Sequence, residues 1–283
     1  MQIGQFPPIY HIAIETLSFW VAFRLYIMLK KRDSLNINKR VPIMIGGILG
    51  AAIGCKLGYF LEDPALVMAH ITDLQLLLTG KSLVGALTGA WIAIEITKKI
   101  VKVQSATGDS FVIPLAAGII VGRIGCFLCG MHDQTYGTPT DLLWGMDFGD
   151  GVKRHPNQLY EILFLSAFLG AFSRLIKVQL QQGELWKIFI LSYLGFRFLV
   201  EFIKPVPHVY LGLDFEQVIA IAAYIYYAPY LISKLQKDED KDEKIESLPK
   251  VEAVEKAEAV ENTEAIEKSD SQEKSETEKP DGE

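Results

Sequence analysis

Ionisable and amide side chains interrupt apolar stretches of this chain at three places. Arg123 lies in GIIVGRIGCFLCG, Arg197 and Glu201 lie in GFRFLVEF, and RHPNQLYE (154 to 161) sets His155, Gln158, Tyr160 and Glu161 at the head of an apolar block. A guanidinium inside an apolar span costs roughly 2.5 to 3.5 kcal/mol on insertion scales unless it is paired, hydrated or near an interface. Arg197 and Glu201 are spaced i, i+4, so they share a helix face and can pair with each other, which is a sufficient structural reason for those two alone. Pro156 is suited to open a helix. The polar side chains that follow it exceed what a cap needs. Arginines, carboxylates, a histidine and a glutamine from separate segments suit an anionic substrate such as a phospholipid headgroup.

The elements that must carry these residues are apolar blocks of about twenty residues, the length that crosses hydrocarbon. Seven are read, at 11–29, 41–61, 82–100, 111–130, 158–176, 184–203 and 211–233. The fold class expected is an all-α membrane protein of about seven transmembrane helices. Basic residues are retained on the cytoplasmic side. Lys30, Lys31, Arg32, Lys39 and Arg40 follow the first block, Lys98, Lys99 and Lys102 the third, Arg174 and Lys177 the fifth, and Lys234 and Lys237 the seventh. The N-terminus is therefore expected outside and the C-terminus in the cytoplasm. With that topology Lys81, Arg123, His132, Asp133, His155, Gln158, Glu161, Arg197 and Glu201 all fall at the outer face. His132 and His155 are weak signals singly, since a loop histidine is usually just solvated.

Between these blocks, residues 62–80 are too short and polar for a full span and are expected to lie along the outer surface. The connection 131–157 is rich in Gly, Pro, Thr and Asp and is expected to be an ordered, irregular loop. Gly46, Gly47, Gly50, Gly54 and Gly58 recur at helical spacing in the second block, with Gly85 and Gly89 in the third, a small-residue pattern for close helix packing. The first block has no basic flank and no small-residue cleavage site, so it is expected to remain as a helix.

Half of the 283 residues are apolar, with a net charge of −6 and a mean hydropathy of +0.22. The negative charge comes from 237–283, a Glu- and Asp-rich segment with too little apolar area to order itself. Two regions are expected: a polytopic membrane domain over 1–236 and a disordered acidic cytoplasmic tail over 237–283. The lysines and arginines of the body sit at span ends rather than in an open patch, so no nucleic-acid partner is expected. Cys55, Cys126 and Cys129 form an odd set within apolar blocks, and no disulfide framework is expected.

GRIGCFLCG (122–130), HPNQLYE (155–161), RFLVEF (197–202) and GLDFEQ (212–217) resemble, in order and spacing, the prolipoprotein diacylglyceryl transferases. The resemblance covers about 10–233, and HPNQLYE is its most specific element. It implies transfer of diacylglyceryl from phosphatidylglycerol to the lipobox cysteine thiol of a prolipoprotein signal peptide, in the bacterial cytoplasmic (inner) membrane, with no cofactor and no metal. Arg123 resembles the family's essential arginine, with Gly122 and Gly125 as its motif glycines. Gln158, Tyr160 and Glu161 match the helix after HP, and Arg197 and Glu201 match the sixth span. Cys126, Cys129 and Met131 stand where the family motif has Asn, Asn and Glu. Residues 80–83 read GKSL in place of HGGL, which leaves Lys81 where substrate would be bound.

In such a transfer a thiol loses its proton as it attacks carbon, and a departing phosphate must be stabilised. Arg123 and Arg197 suit the phosphate. Glu201 would orient Arg197, and His132, His155 or Glu161 would serve as base, with His132 preferred for its place just after GRIG. The competing readings are a phospholipid-binding or lipid-transport paralogue without chemistry and a transferase with a different acceptor. A channel or transporter would show internal repeats or a polar path through the inner halves; the sequence shows neither.

Overall fold

The computed structural model describes residues 8–29, 36–74, 78, 80–175 and 180–246. Lys30, Lys31, Arg32, Lys177 and the tail beyond 246 lie outside the described residues. Eight α-helices carry the described chain: α1 (Pro8–Leu29), α2 (Ile37–Glu62), α3 (Pro64–Ala69), α4 (Leu83–Ile100), α5 (Asp109–Cys129), α6 (Asn157–Leu175), α7 (Glu184–Glu201) and α8 (Phe215–Glu246). A helix occupies each of the seven apolar blocks. Four of them, α1, α2, α5 and α8, are long and apolar enough to cross a membrane. Of the others, α4 carries Glu95, Lys98 and Lys99, and α7 carries Glu184, Lys187, Arg197 and Glu201. Charge lowers the hydropathy of α7 because that helix holds part of the polar constellation.

Clustering divides the chain into two compact units, Met1–Tyr226 and Tyr227–Glu283. In the first unit Phe19, Trp20 and Phe23 of α1 and Ile48, Leu49 and Ile53 of α2 are exposed. Apolar faces this extensive need a lipid solvent, not water.

The glycine pattern is a packing device. A Cβ on Gly54 would stand 2.3 Å from the carbonyl oxygen of Gly85, and one on Gly50 2.5 Å from that of Gly89, far inside any real contact. Helices α2 and α4 therefore meet backbone to backbone, which only glycine allows. Helix α1 lies on α5 with side chains seated against glycines, where a Cβ on Gly118 would be 3.0 Å from the Ala22 methyl and one on Gly125 3.0 Å from the Ile14 side chain.

The apolar core is built by Leu87 of α4, Val112, Ala116 and Ile119 of α5, Leu165 of α6, and Leu185, Phe189 and Tyr193 of α7. On α7 the buried face runs Leu185, Phe189, Tyr193, Arg197, Glu201, every fourth residue. One helical stripe thus turns from apolar to ionic without leaving the interior.

After α5 a 3₁₀ helix (Gly130–Asp133) reverses the chain. The loop that follows contains a short antiparallel ladder, β1 (Met146–Asp147) and β2 (Lys153–Arg154), in register Met146 with Arg154 and Asp147 with Lys153. The loop is anchored to α7 through Thr138 N–H, which donates to the Ile203 carbonyl at 2.7 Å. Residues 62–80 contain the six-residue α3 rather than one continuous surface helix.

Candidate functional site

Arg197 and three carboxylates form the most enclosed ionic group among the described residues. Its Nε–H donates to Glu216 Oε2 at 2.9 Å and one terminal nitrogen to Glu161 Oε2 at 3.1 Å. The other terminal nitrogen donates to both Glu201 and Glu216. Lys204 Nζ adds a bond of 2.9 Å to Glu201 Oε1. Arg197, Glu161, Glu201 and Glu216 are all buried, so removing any partner would leave an uncompensated buried charge. Every nitrogen of this guanidinium already has an acceptor.

Arg123, at the end of α5, reaches the same carboxylate from the other side. Its Nε lies 2.9 Å from Glu161 Oε2, an ion-pair contact whose direction leaves the Nε–H without a hydrogen-bond acceptor. Its terminal nitrogens make no hydrogen bond to the described residues. Glu161 is completed by the Tyr193 hydroxyl, which donates to Oε1 at 2.7 Å. Glu161 therefore holds two arginines in fixed relation while one of them keeps free donors.

The start of α6 adds amides to this end of the bundle. Gln158 Nε2 donates to Thr135 Oγ1 at 3.0 Å, and the Thr135 hydroxyl donates to Asp133 Oδ2. Gln158 Oε1 and both polar atoms of the Asn157 side chain are buried without a partner. Buried amide atoms of this kind are available to water or to a ligand. Beyond Thr135 the chain of contacts continues: Asp133 Oδ1 is 2.9 Å from His11 Nε2, and Cys126 Sγ is 3.7 Å from the same nitrogen.

The remaining predicted residues take other places. His132 is exposed and makes no hydrogen bond or ion pair with the described residues. His155 Nδ1 is 3.1 Å from the Tyr160 hydroxyl oxygen, which accepts from Trp144 Nε1 at 2.9 Å, so these three form a cluster of their own where the loop meets α6. Lys81 pairs with Glu15 of α1 at 2.6 Å, and both are partly exposed. Gly122 and Gly125 face α1, next to Ser18 and Ile14. Cys55, Cys126 and Cys129 are free thiols.

Sequence reasoning left several members unassigned, among them Glu216, Tyr193 and His11. Glu216 has a signal in retrospect. Asp214 and Gln217 form a reciprocal capping box, Gln217 N–H to Asp214 Oδ1 at 2.8 Å and Asp214 N–H to Gln217 Oε1 at 3.0 Å. Such an Asp-x-x-Gln pair fixes the helix start, and here it holds Glu216 between its two members. Burial pushes the Asp214 carboxyl above the usual carboxylate range despite the Gln217 bond. The turn that leads into it needs glycine at Gly212, where φ is +84°. Tyr193 lies one turn before Arg197 on the same face. His11 gave only an isolated histidine at the head of an apolar block.

At the β1–β2 hairpin, the hydrogen bond from Arg154 holds the exposed Asp150 carboxylate below its ordinary range, at 2.7 Å from the guanidinium.

The family model described as prolipoprotein diacylglyceryl transferase matches residues 2–233. A phosphatidylglycerol–prolipoprotein diacylglyceryl transferase of Pasteurella multocida is 35% identical over 193 residues, covering 67% of this chain and 68% of that protein. A protein of the same name from Bordetella parapertussis is 31% identical over 214 residues, covering 70% and 79%. One from Cupriavidus metallidurans is 34% identical over 177 residues, covering 59% and 63%.

Proposed function

The chain belongs to the prolipoprotein diacylglyceryl transferase family, and from that premise we infer that it transfers diacylglyceryl from phosphatidylglycerol to the lipobox cysteine thiol of a prolipoprotein. The enzyme is a membrane transferase. The observation that carries the reading at this site is the Arg123 guanidinium, fixed by Glu161 at 2.9 Å yet with donors left for an anion.

In the reaction the thiol sulfur forms a bond to the terminal glycerol carbon of the diacylglyceryl group. The carbon–oxygen bond to phosphate breaks, and glycerol phosphate leaves with the bonding pair. Charge develops on the leaving phosphate oxygen, where fixed donors lower the barrier most. Arg123 supplies them. Glu161 positions Arg123, and Arg197, locked by Glu161, Glu201 and Glu216, positions Glu161. Gln158 and Asn157, whose buried amide atoms lack partners, supply neutral hydrogen bonds to the glycerol headgroup. Lys81 and Tyr160 contribute at the rim. The thiol proton goes to a loop imidazole, and His132, exposed and unbonded, is the candidate ahead of His155, which Tyr160 engages. Glu161 already receives Arg123, Arg197 and Tyr193, which suits a positioning carboxylate better than a base.

The same reading places this end of the bundle at the outer face of the bacterial cytoplasmic membrane. The helices would form seven spans, with the N-terminus outside, the C-terminus in the cytoplasm, and 237–283 as an acidic appendage to a transferase domain at 1–236. Helices at all seven apolar blocks support it, as do the basic residues at alternate ends. Purified protein supplied with phosphatidylglycerol and a lipobox peptide should yield the thioether product and glycerol phosphate. Binding of phosphatidylglycerol without product would instead favour a phospholipid-binding protein. Complementation of a strain lacking its own diacylglyceryl transferase tests the acceptor in the cell.

A further inference from the structure

His11 of α1, Cys126 of α5 and Asp133 of the 3₁₀ helix bring a nitrogen, a sulfur and a carboxylate oxygen within 4.8 Å of one another. Three separate segments converge here. The close approach of α1 to α5 at Gly118 and Gly125 brings His11 over Cys126, and the reversal at Gly130–Asp133 returns Asp133 above both.

Two chemistries use such a set. A nucleophile relay needs the two opposite ring nitrogens of histidine, one toward the thiol and the other toward the carboxylate. Here a single nitrogen, Nε2, faces both: Asp133 Oδ1 at 2.9 Å and Cys126 Sγ at 3.7 Å. One nitrogen shared by an acid and a thiol cannot relay a proton between them, but a nitrogen, a sulfur and a carboxylate oxygen this close together can share an ion. Zinc–sulfur and zinc–nitrogen bonds of about 2.3 and 2.0 to 2.1 Å at a tetrahedral angle separate sulfur from nitrogen by about 3.6 Å. The observed separation of 3.7 Å matches that edge, whereas the 2.9 Å between His11 Nε2 and Asp133 Oδ1 is a hydrogen-bond distance that must open by about 0.5 Å to seat an ion.

We propose that His11 Nε2, Cys126 Sγ and Asp133 form a site for a zinc-class divalent ion with one open coordination position. Thiolate, imidazole and carboxylate together select zinc over magnesium or calcium, and three protein ligands with an open fourth position mark a reactive rather than a structural site. On binding, the proton of Cys126 is released to solvent and the sulfur coordinates as thiolate. Thr135 bonds the carboxylate of Asp133 and is in turn held by Gln158, the outer-shell support a metal ligand requires. Cys126 lies one helical turn beyond Arg123, so the open position is on the same end of α5 as the phosphate-binding donors. Resting on the transferase reading, the acceptor thiol fills that position, gives its proton to the His132 imidazole and is held there as thiolate, the attacking form.

Full-length protein purified in detergent without chelator should retain about one zinc per chain by elemental analysis. With Co²⁺ in its place the protein should show a thiolate-to-cobalt charge-transfer band in the near ultraviolet. The band should vanish in Cys126→Ser and in His11→Ala and persist in Cys55→Ser. Absence of stoichiometric metal from the wild-type protein, a measurement that needs no variant, overturns the site. A band that survives Cys126→Ser does so as well. Adding a lipobox cysteine peptide should raise the charge-transfer intensity as a second thiolate binds; an unchanged band removes the acceptor from the ion. Metal retained in a protein that forms no thioether would sink the transferase reading and leave the site standing.

Discussion

Arg123 and Arg197 share the carboxylate of Glu161, yet their surroundings differ in kind. Arg197 donates from all its nitrogens to Glu161, Glu201 and Glu216 and is buried. Arg123 has one ion-pair contact and free terminal donors. A saturated guanidinium has no hydrogen bond left to give a substrate without first breaking one. Its work is to hold neighbours in place. The unsaturated one can meet a phosphate with no such loss. Two arginines that look equivalent in the sequence thus divide into one saturated by protein acceptors and one with donors to spare.

Arg197→Met breaks the comparison hardest. Three buried carboxylates would lose their common partner, at a cost of about 3 to 5 kcal/mol. Thermal unfolding in detergent should show the loss, with most of the protein failing to accumulate in the membrane. Arg123→Ala should leave stability within about 1 to 2 kcal/mol, because Glu161 keeps Arg197 and Tyr193, while activity falls steeply. Tyr193→Phe sharpens the picture with a smaller effect: loss of the 2.7 Å bond to Glu161 should cost about 1.5 kcal/mol in the melting midpoint and lower turnover less than Arg123→Ala. The smallest effect lies outside the site, in the hairpin. Because Arg154 depresses the Asp150 carboxylate, that pair contributes order above the ordinary carboxylate pKa of about 3.9 and loses it as pH falls through the lowered value. Amide exchange at Val152, whose N–H donates to Asp150, should be slower in wild type than in Asp150→Asn at neutral pH. The difference should close in acid.

The helices were legible because apolar blocks of membrane-crossing length leave little choice of structure, and the bounds 82–100 and 184–203 lie close to α4 and α7. Arg123, Glu161, Arg197 and Glu201 were legible because charge is conspicuous in such blocks. Glu216 was not, since a glutamate beside a helix start is ordinary until the fold turns it toward Arg197. His11 was hidden for a similar reason: its partners lie more than a hundred residues away, and only the glycine-lined contact of α1 with α5 brings them together. The two-residue strands of the β1–β2 hairpin are too short for any alternation to show.

Steady-state kinetics of purified Arg123→Ala, with phosphatidylglycerol varied and a lipobox peptide as acceptor, reach the division between the arginines most directly. The expected result is a fall of about 100- to 1,000-fold in kcat/KM with the melting temperature lowered by no more than a few degrees. Wild-type turnover in that variant, or a loss that merely follows its unfolding, would contradict the assignment of Arg123 as the phosphate ligand.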